Sequence, residues 1–226
     1  MRGKLIVMEG TDSSGKKTQV KILSDRLRAE GLKIETMSFP TYQNTKLGGL
    51  VSKYLNGEFG SKEQVGPEVG SMFFMMDRYQ FRDKIRKALN SGINLITDRY
   101  TTSNIFQAAE AEGEERFRIW QWTKTVDSRM AQPDIVIFLN VPPEVSDRLF
   151  AHRTVKNPLI AKGGKDILER DKAYQERVRQ LYHEIANKEG WIVIECCENN
   201  MLRKPEEIHE EIYRKLKERG VIQSDK

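Results

Sequence analysis

Two short stretches hold the residues best suited to chemistry. The first is Gly10-Thr11-Asp12-Ser13-Ser14-Gly15-Lys16-Lys17-Thr18. Its G-x-x-x-x-G-K spacing is that of a phosphate-binding loop, whose glycines let several backbone N–H groups turn toward one anion. Lys16 would neutralise the β- and γ-phosphates, and the helix that follows would add its positive N-terminal end. The usual pattern has a hydroxyl directly after that lysine, where this chain has Lys17. The second stretch is Leu95-Ile96-Thr97-Asp98-Arg99-Tyr100. Asp98 suits a metal ion or a water, and Arg99 suits a second anion beside it, as expected where the phosphoryl acceptor is itself a phosphate. The plain alternatives are a coincidental Gly-Lys turn and a structural ion pair at a strand end.

Such residues need a frame. The chain alternates short β-branched runs with long amphipathic segments. Strands are expected at 4–9, 33–37, 93–97, 134–140 and 191–195. Helices are expected at 16–29, 48–55, 69–89, 102–111, 114–129, 143–152, 166–188 and 205–219. This alternation implies one parallel sheet with helices on both faces. The phosphate loop then falls between the first strand and the first helix, the context it requires. No repeat or low-complexity linker divides the 226 residues, and the one compositional break, Thr154–Lys165, reads as a mobile loop inside a single domain.

Composition narrows the class. Apolar residues make up 38% and charged residues 31%, and the net charge of +5 comes from basic residues dispersed among Asp and Glu. That dispersal favours a solvated surface with a local anion site over nucleic-acid binding. The apolar run after Met1-Arg2-Gly3-Lys4 is too short for a signal segment or a membrane span, so a cytoplasmic protein is expected. The adjacent Cys196 and Cys197 are too few for a metal site and poorly placed to bridge each other. A switch GTPase would need an N-K-x-D box, and Asn187-Lys188-Glu189-Gly190 lacks its Asp.

Six blocks in order, EGTDSSGKKTQ, FPTY, FFMMDR, DRYTTSN, PDIVIFLNVPPE and ERDKAYQERVRQLY, resemble the thymidylate kinase family along essentially the whole chain. The resemblance implies a P-loop NTPase α/β three-layer sandwich with a five-stranded parallel sheet and a mobile lid. It implies transfer of the γ-phosphoryl of ATP to dTMP with Mg²⁺, and a homodimer. It implies that Gly10, Thr11, Asp12, Ser13, Ser14, Gly15, Lys16, Lys17 and Thr18 hold ATP, with Arg148 against adenine. On the acceptor side it implies Asp12 near the 3′-hydroxyl, Phe39 and Pro40 as a wall, Tyr42 near the phosphate, Phe74 stacked on thymine and Arg78 bonded to the base. Arg99 becomes the clamp on the acceptor phosphate, and Asn104 a polar contact to base or sugar. Asp98, with Asp12, becomes the magnesium-linked acid. Many members carry an aromatic nine positions after this Asp, against the sugar, where this chain has Gln107 with Phe106 just before it.

Phosphoryl transfer also needs positive charge that follows the moving group. The loop positions that carry it in some members are the neutral Ser13 and Ser14 here. The charge is therefore expected from the lid, about 152–166, with Arg153 as the transition-state contact and Lys156 second. His152, Lys162 and Lys165 add to that charge, and Asp166 and Glu169 match acids near the acceptor. Alternative readings are a deoxynucleoside kinase, another deoxynucleoside monophosphate kinase, or a non-catalytic nucleotide-binding protein in which Lys17 has cost the magnesium site.

Overall fold

The computed structural model describes residues 1–151, 168 and 171–222. The expected lid, with His152, Arg153, Lys156, Lys162, Lys165, Asp166 and Glu169, lies outside the described residues. Five strands, β1 (Leu5–Glu9), β2 (Ile34–Ser38), β3 (Asn94–Asp98), β4 (Ile135–Asn140) and β5 (Ile192–Glu195), form a parallel sheet in the order β2-β3-β1-β4-β5. The central β1, Leu-Ile-Val-Met-Glu, is buried along its whole length because both faces of the sheet are covered. The period of two divides it: Leu5 and Val7 enter one core, Ile6 and Met8 the other.

The second core lies under α1 (Lys16–Ala29) and α10 (Pro205–Glu218), through residues such as Leu23, Leu27, Ile212 and Leu216. The opposite face is covered by α2 (Lys46–Leu55), α3 (Lys62–Val65), α4 (Pro67–Tyr79), α5 (Arg82–Asn90), α6 (Ile105–Ala108), α7 (Glu115–Val126) and α9 (Lys172–Glu189). Between β4 and the undescribed segment runs α8 (Pro143–Ala151). No helix among the described residues is long and apolar enough to cross a membrane.

The strands agree with expectation to within a residue, whereas several helices do not. The expected 69–89 helix is two, because the chain turns at Gln80 and Phe81. There the Gln80 amide donates to the Asp77 carbonyl at 2.9 Å, and the Phe81 ring packs edge-on against Phe39 at 5.7 Å. The expected 102–111 helix opens instead as a 3₁₀ turn, Thr101–Asn104, before α6. Its Thr102 and Ser103 hydroxyls bond Glu9, which ties the turn down to the end of β1. The expected 114–129 helix ends at Val126, followed by a 3₁₀ turn Asp127–Arg129. Helix α9 is capped by Asp171, whose carboxylate accepts from Tyr174 N–H at 3.0 Å. Beyond β5 an unanticipated hairpin, β6 (Cys197–Glu198) with β7 (Met201–Leu202), turns on Asn199 and Asn200, both at positive φ.

Candidate active site

The phosphate loop leaves β1 at Gly10, whose φ is 149°. A Cβ there would stand 2.8 Å from the Leu139 carbonyl oxygen, so only glycine fits between β1 and β4. Gly15 sits in the left-handed region, and no side chain caps α1 after it. The first-turn amides of α1 are thereby left for an anion. Lys16 is buried, and its ammonium donates to the carbonyls of Gly10 (3.1 Å) and Thr11 (2.7 Å). Burial, reinforced by the charge of Arg99, lowers its pKa to about 8, against the opposing pull of Asp98 and Asp12. Lys17 and Thr18 are exposed on the first turn of α1. The buried Thr11 and Ser13 hydroxyls have no hydrogen-bond partner. Ser146 on α8 donates to the Asp12 carbonyl, and Arg148 on the same helix donates to Asn200 O at 2.7 Å.

Strand pairing brings the second stretch beside the first. Met8 of β1 is in register with Asp98 of β3, and Arg99 N–H donates to the Met8 carbonyl. Arg99 has φ 63°, which swings its side chain back toward the loop, where Nη2 meets Asp12 Oδ1 at 2.6 Å. Its guanidinium lies over the Phe106 ring at 4.7 Å. Burial works against the charge of Arg99, but Asp12, with Tyr182, Glu9 and Asp98, more than offsets it, so the pKa is raised. Asp98 Oδ1 is buried with no hydrogen-bond partner.

Glu9, the last residue of β1, is fully buried and was given no role by sequence reasoning. Its carboxylate accepts from Tyr100 N–H (3.2 Å), Thr102 (2.6 Å), Ser103 (2.9 and 2.8 Å) and the Tyr182 hydroxyl (2.8 Å). One buried carboxylate thus joins the corner after Arg99 to α9.

A cavity opens beside this corner. Its walls include Phe39, Pro40, Tyr42, Phe74, Arg78 and Gln107, and Asp12 and Arg99 lie at its phosphate-loop side. The wall at Phe39–Tyr42 is held by Asp77, fully buried, which accepts from Thr41 N–H at 2.8 Å. Phe74 sits edge-on against Tyr54 at 6.0 Å and exposes part of its ring to the cavity. Gln107 is buried and its Nε2 has no partner. Phe106 lines the cavity as well, its backbone carbonyl accepting from the Tyr174 hydroxyl at 2.6 Å. Arg78 is almost wholly buried and pairs with Asp127 at 3.1 Å.

The structure therefore gathers Gly10–Gly15, Lys16, Asp98 and Arg99 at the ends of two paired strands. It places eight of the acceptor-side residues, Asp12, Phe39, Pro40, Tyr42, Phe74, Arg78, Arg99 and Gln107, on one cavity. Asn104 is not among the lining residues; its amide is bonded to Arg78 and Asp127. Glu9, Asp77 and Asp127 were missed; the one signal for Glu9 is its place at the end of the apolar run Leu5–Met8 inside the expected strand.

The thymidylate kinase family model matches residues 8–212. The chain is 28% identical to the thymidylate kinase of Plasmodium falciparum, over 95% of this chain and 90% of that one. It is 30% identical to that of Danio rerio (93% and 88%) and 29% identical to that of Homo sapiens (93% and 88%). Its fold resembles the solved thymidylate kinase of Candida albicans, with a TM-score of 0.73 at 22% identity over 97% of this chain and 93% of that chain. With a family match across nearly the whole chain and the family's fold beneath it, the chain belongs to the thymidylate kinase family.

Proposed function

We propose that dTMP occupies the cavity under α4, with its base on Phe74 and its phosphate at Arg99, while the Gly10–Thr18 loop and Lys16 hold the triphosphate of ATP. The protein is a nucleoside monophosphate kinase that transfers the γ-phosphoryl of ATP to dTMP, giving dTDP and ADP. One observation carries the residue assignment: Arg99 stands between the two sites, touching the loop through Asp12 while lining the cavity. A nucleoside acceptor would need a base to take its proton; a phosphate acceptor needs a cation, and Arg99 is one.

In this reading an oxygen of the dTMP phosphate forms the new bond to the γ-phosphorus as the bond to the β–γ bridging oxygen breaks. Lys16 leaves the Gly10 and Thr11 carbonyls to follow the charge on the β- and γ-phosphates. Arg99 holds the acceptor phosphate in line, and the Phe39–Tyr42 wall, fixed by Asp77, keeps the nucleotide from sliding. The residues present fit a magnesium ion, since Asp98 offers a buried carboxylate oxygen with no partner. Asp98, with Asp12, would hold it, and bound there it would supply charge that neutralises the triphosphate; two carboxylates suffice for an ion that keeps several waters. Lys17 is exposed and adds charge near the phosphates in place of the usual hydroxyl. Arg148, at the hairpin of β6 and β7, would lie against adenine.

The reading extends to assembly and setting. Val69, Met72, Met76 and Tyr79 leave a large apolar stripe exposed on α4, which suits a homodimer. Both cysteines are free, as suits a reducing cytoplasm. Arg99→Ala tests the assignment. The KM for dTMP is expected to rise roughly 10- to 100-fold, by loss of a charge-assisted contact, with the KM for ATP within about twofold of the parent. A coupled ADP-release assay measures both, and an unchanged dTMP KM and kcat would remove Arg99 from the acceptor site.

A further inference from the structure

Asn104 and Asp127 have no place on the cavity wall, yet both are bonded to a residue that does. Asn104 is 1% exposed, Asp127 3% and Arg78 2%. Arg78 Nη2 donates to Asn104 Oδ1 at 2.7 Å and to Asp127 Oδ2 at 3.1 Å, and Asn104 Nδ2 donates to the same Asp127 oxygen at 2.8 Å. The three groups close a buried ring. Chemistry alone fixes the amide's orientation, since the guanidinium only donates and the carboxylate only accepts.

We propose that Asn104 and Asp127 are positioning residues that act on the acceptor solely through Arg78, and that together they set the cavity's preference for a dioxopyrimidine base. Asn104 Oδ1 and Nδ2 are each bonded inside the ring, and the residue is buried behind the cavity wall, so its remaining N–H and lone pair do not face the acceptor. Nη2 of Arg78 is likewise spent, which leaves the other N–H groups of a guanidinium held in one plane to meet the base. Arg78 is a donor without acceptor capacity, so it favours a carbonyl oxygen and disfavours an exocyclic amino group at the same edge. The ring also joins three elements, since Arg78 lies on α4, Asn104 ends the 3₁₀ turn before α6, and Asp127 follows α7. Loosening it frees the plane of the guanidinium without removing a contact to the nucleotide.

The proposal rests on the reading of the cavity as the dTMP site, and a double-mutant cycle separates the two. Asn104→Ala is compared in the parent and in an Arg78→Ala background, with dTMP, dCMP and ATP each varied in turn. In the parent, Asn104→Ala is expected to raise the dTMP KM roughly tenfold, as for loss of a hydrogen bond to a charged group. It is also expected to narrow the preference for dTMP over dCMP while leaving the ATP KM alone. In Arg78→Ala the same substitution is expected to change the dTMP KM less than about twofold, because the residue it acts through is gone. Asp127→Asn, which keeps the shape of the side chain, is expected to show the same dependence on background. Equal fold-losses in the two backgrounds would overturn the proposal and make Asn104 a direct contact. So would a rise in the ATP KM matching that for dTMP, which marks general loosening. Arg78→Ala with a parental dTMP KM would instead overturn the cavity reading, and the proposal with it.

Discussion

Lys16 donates to the carbonyls of its own loop, and burial lowers its pKa from 10.5 to about 8. Below about pH 8 the ammonium is charged and ready for phosphate; above it the charge is lost. We therefore expect kcat/KM for ATP to fall as pH rises through about 8, with the limb in kcat displaced upward because bound triphosphate favours the ammonium. The folding linkage has the opposite sense. Between about 8 and 10.5 the unfolded chain holds a proton that the folded chain has released, so this residue's contribution to stability rises with pH across that window. pH–rate profiles with ATP varied at saturating dTMP check the first statement, and a flat profile to pH 9.5 would remove it. The place of Lys16 in the loop was legible because the groups it touches, the Gly10 and Thr11 carbonyls, lie within a few positions of it. Glu9 and Asp127 were not, because their partners lie far along the chain, Thr102 93 residues from Glu9 and Arg78 49 residues from Asp127. No local spacing encodes such a pair.

At the scale of elements, the short apolar and β-branched runs set between long amphipathic segments made the sheet readable almost to the residue. What escaped were places where a side chain overrules a continuing pattern. Helical periodicity runs on through Gln80 and Phe81, but Phe81 is drawn to Phe39 in the core and the axis breaks. Thr102 and Ser103 bond a carboxylate from another strand instead of extending a helix. Just beyond α6, Glu110 offers a test of this packing. Its Oε1 is buried with no partner, and burial, only partly opposed by Lys62, pushes its pKa to about 8. Between the usual glutamate value and about 8 the folded chain holds a proton that the unfolded chain has released. Stability is therefore lost as pH rises through that range. Glu110→Gln is expected to unfold like the parent near pH 4 and to be more stable by roughly 1–3 kcal/mol at pH 9, since it removes a poorly solvated charge. Urea denaturation at the two pH values measures this, and equal differences at both would show that the carboxyl ionises freely.

For the whole molecule, the exposed stripe on α4 is the feature that asks for a second copy. We expect Met76→Arg, which sets a charge in the middle of that stripe, to shift the protein toward monomer, as read by sedimentation or by elution volume at micromolar concentration. A protein whose mass is that of one chain before and after the change would exclude this face as the interface. The prediction reaches further than assembly because α4 spans only 13 residues. Phe74 and Arg78 line the cavity, while Met72, Met76 and Tyr79 alternate with them on the outside. A helix advances about 1.5 Å per residue and moves as a rod, so neither set of side chains shifts alone. The helix is a ruler shared by two readers. A partner that stiffened it would hold the Phe74 side of the cavity at one height, and changes on the outer face would be felt there.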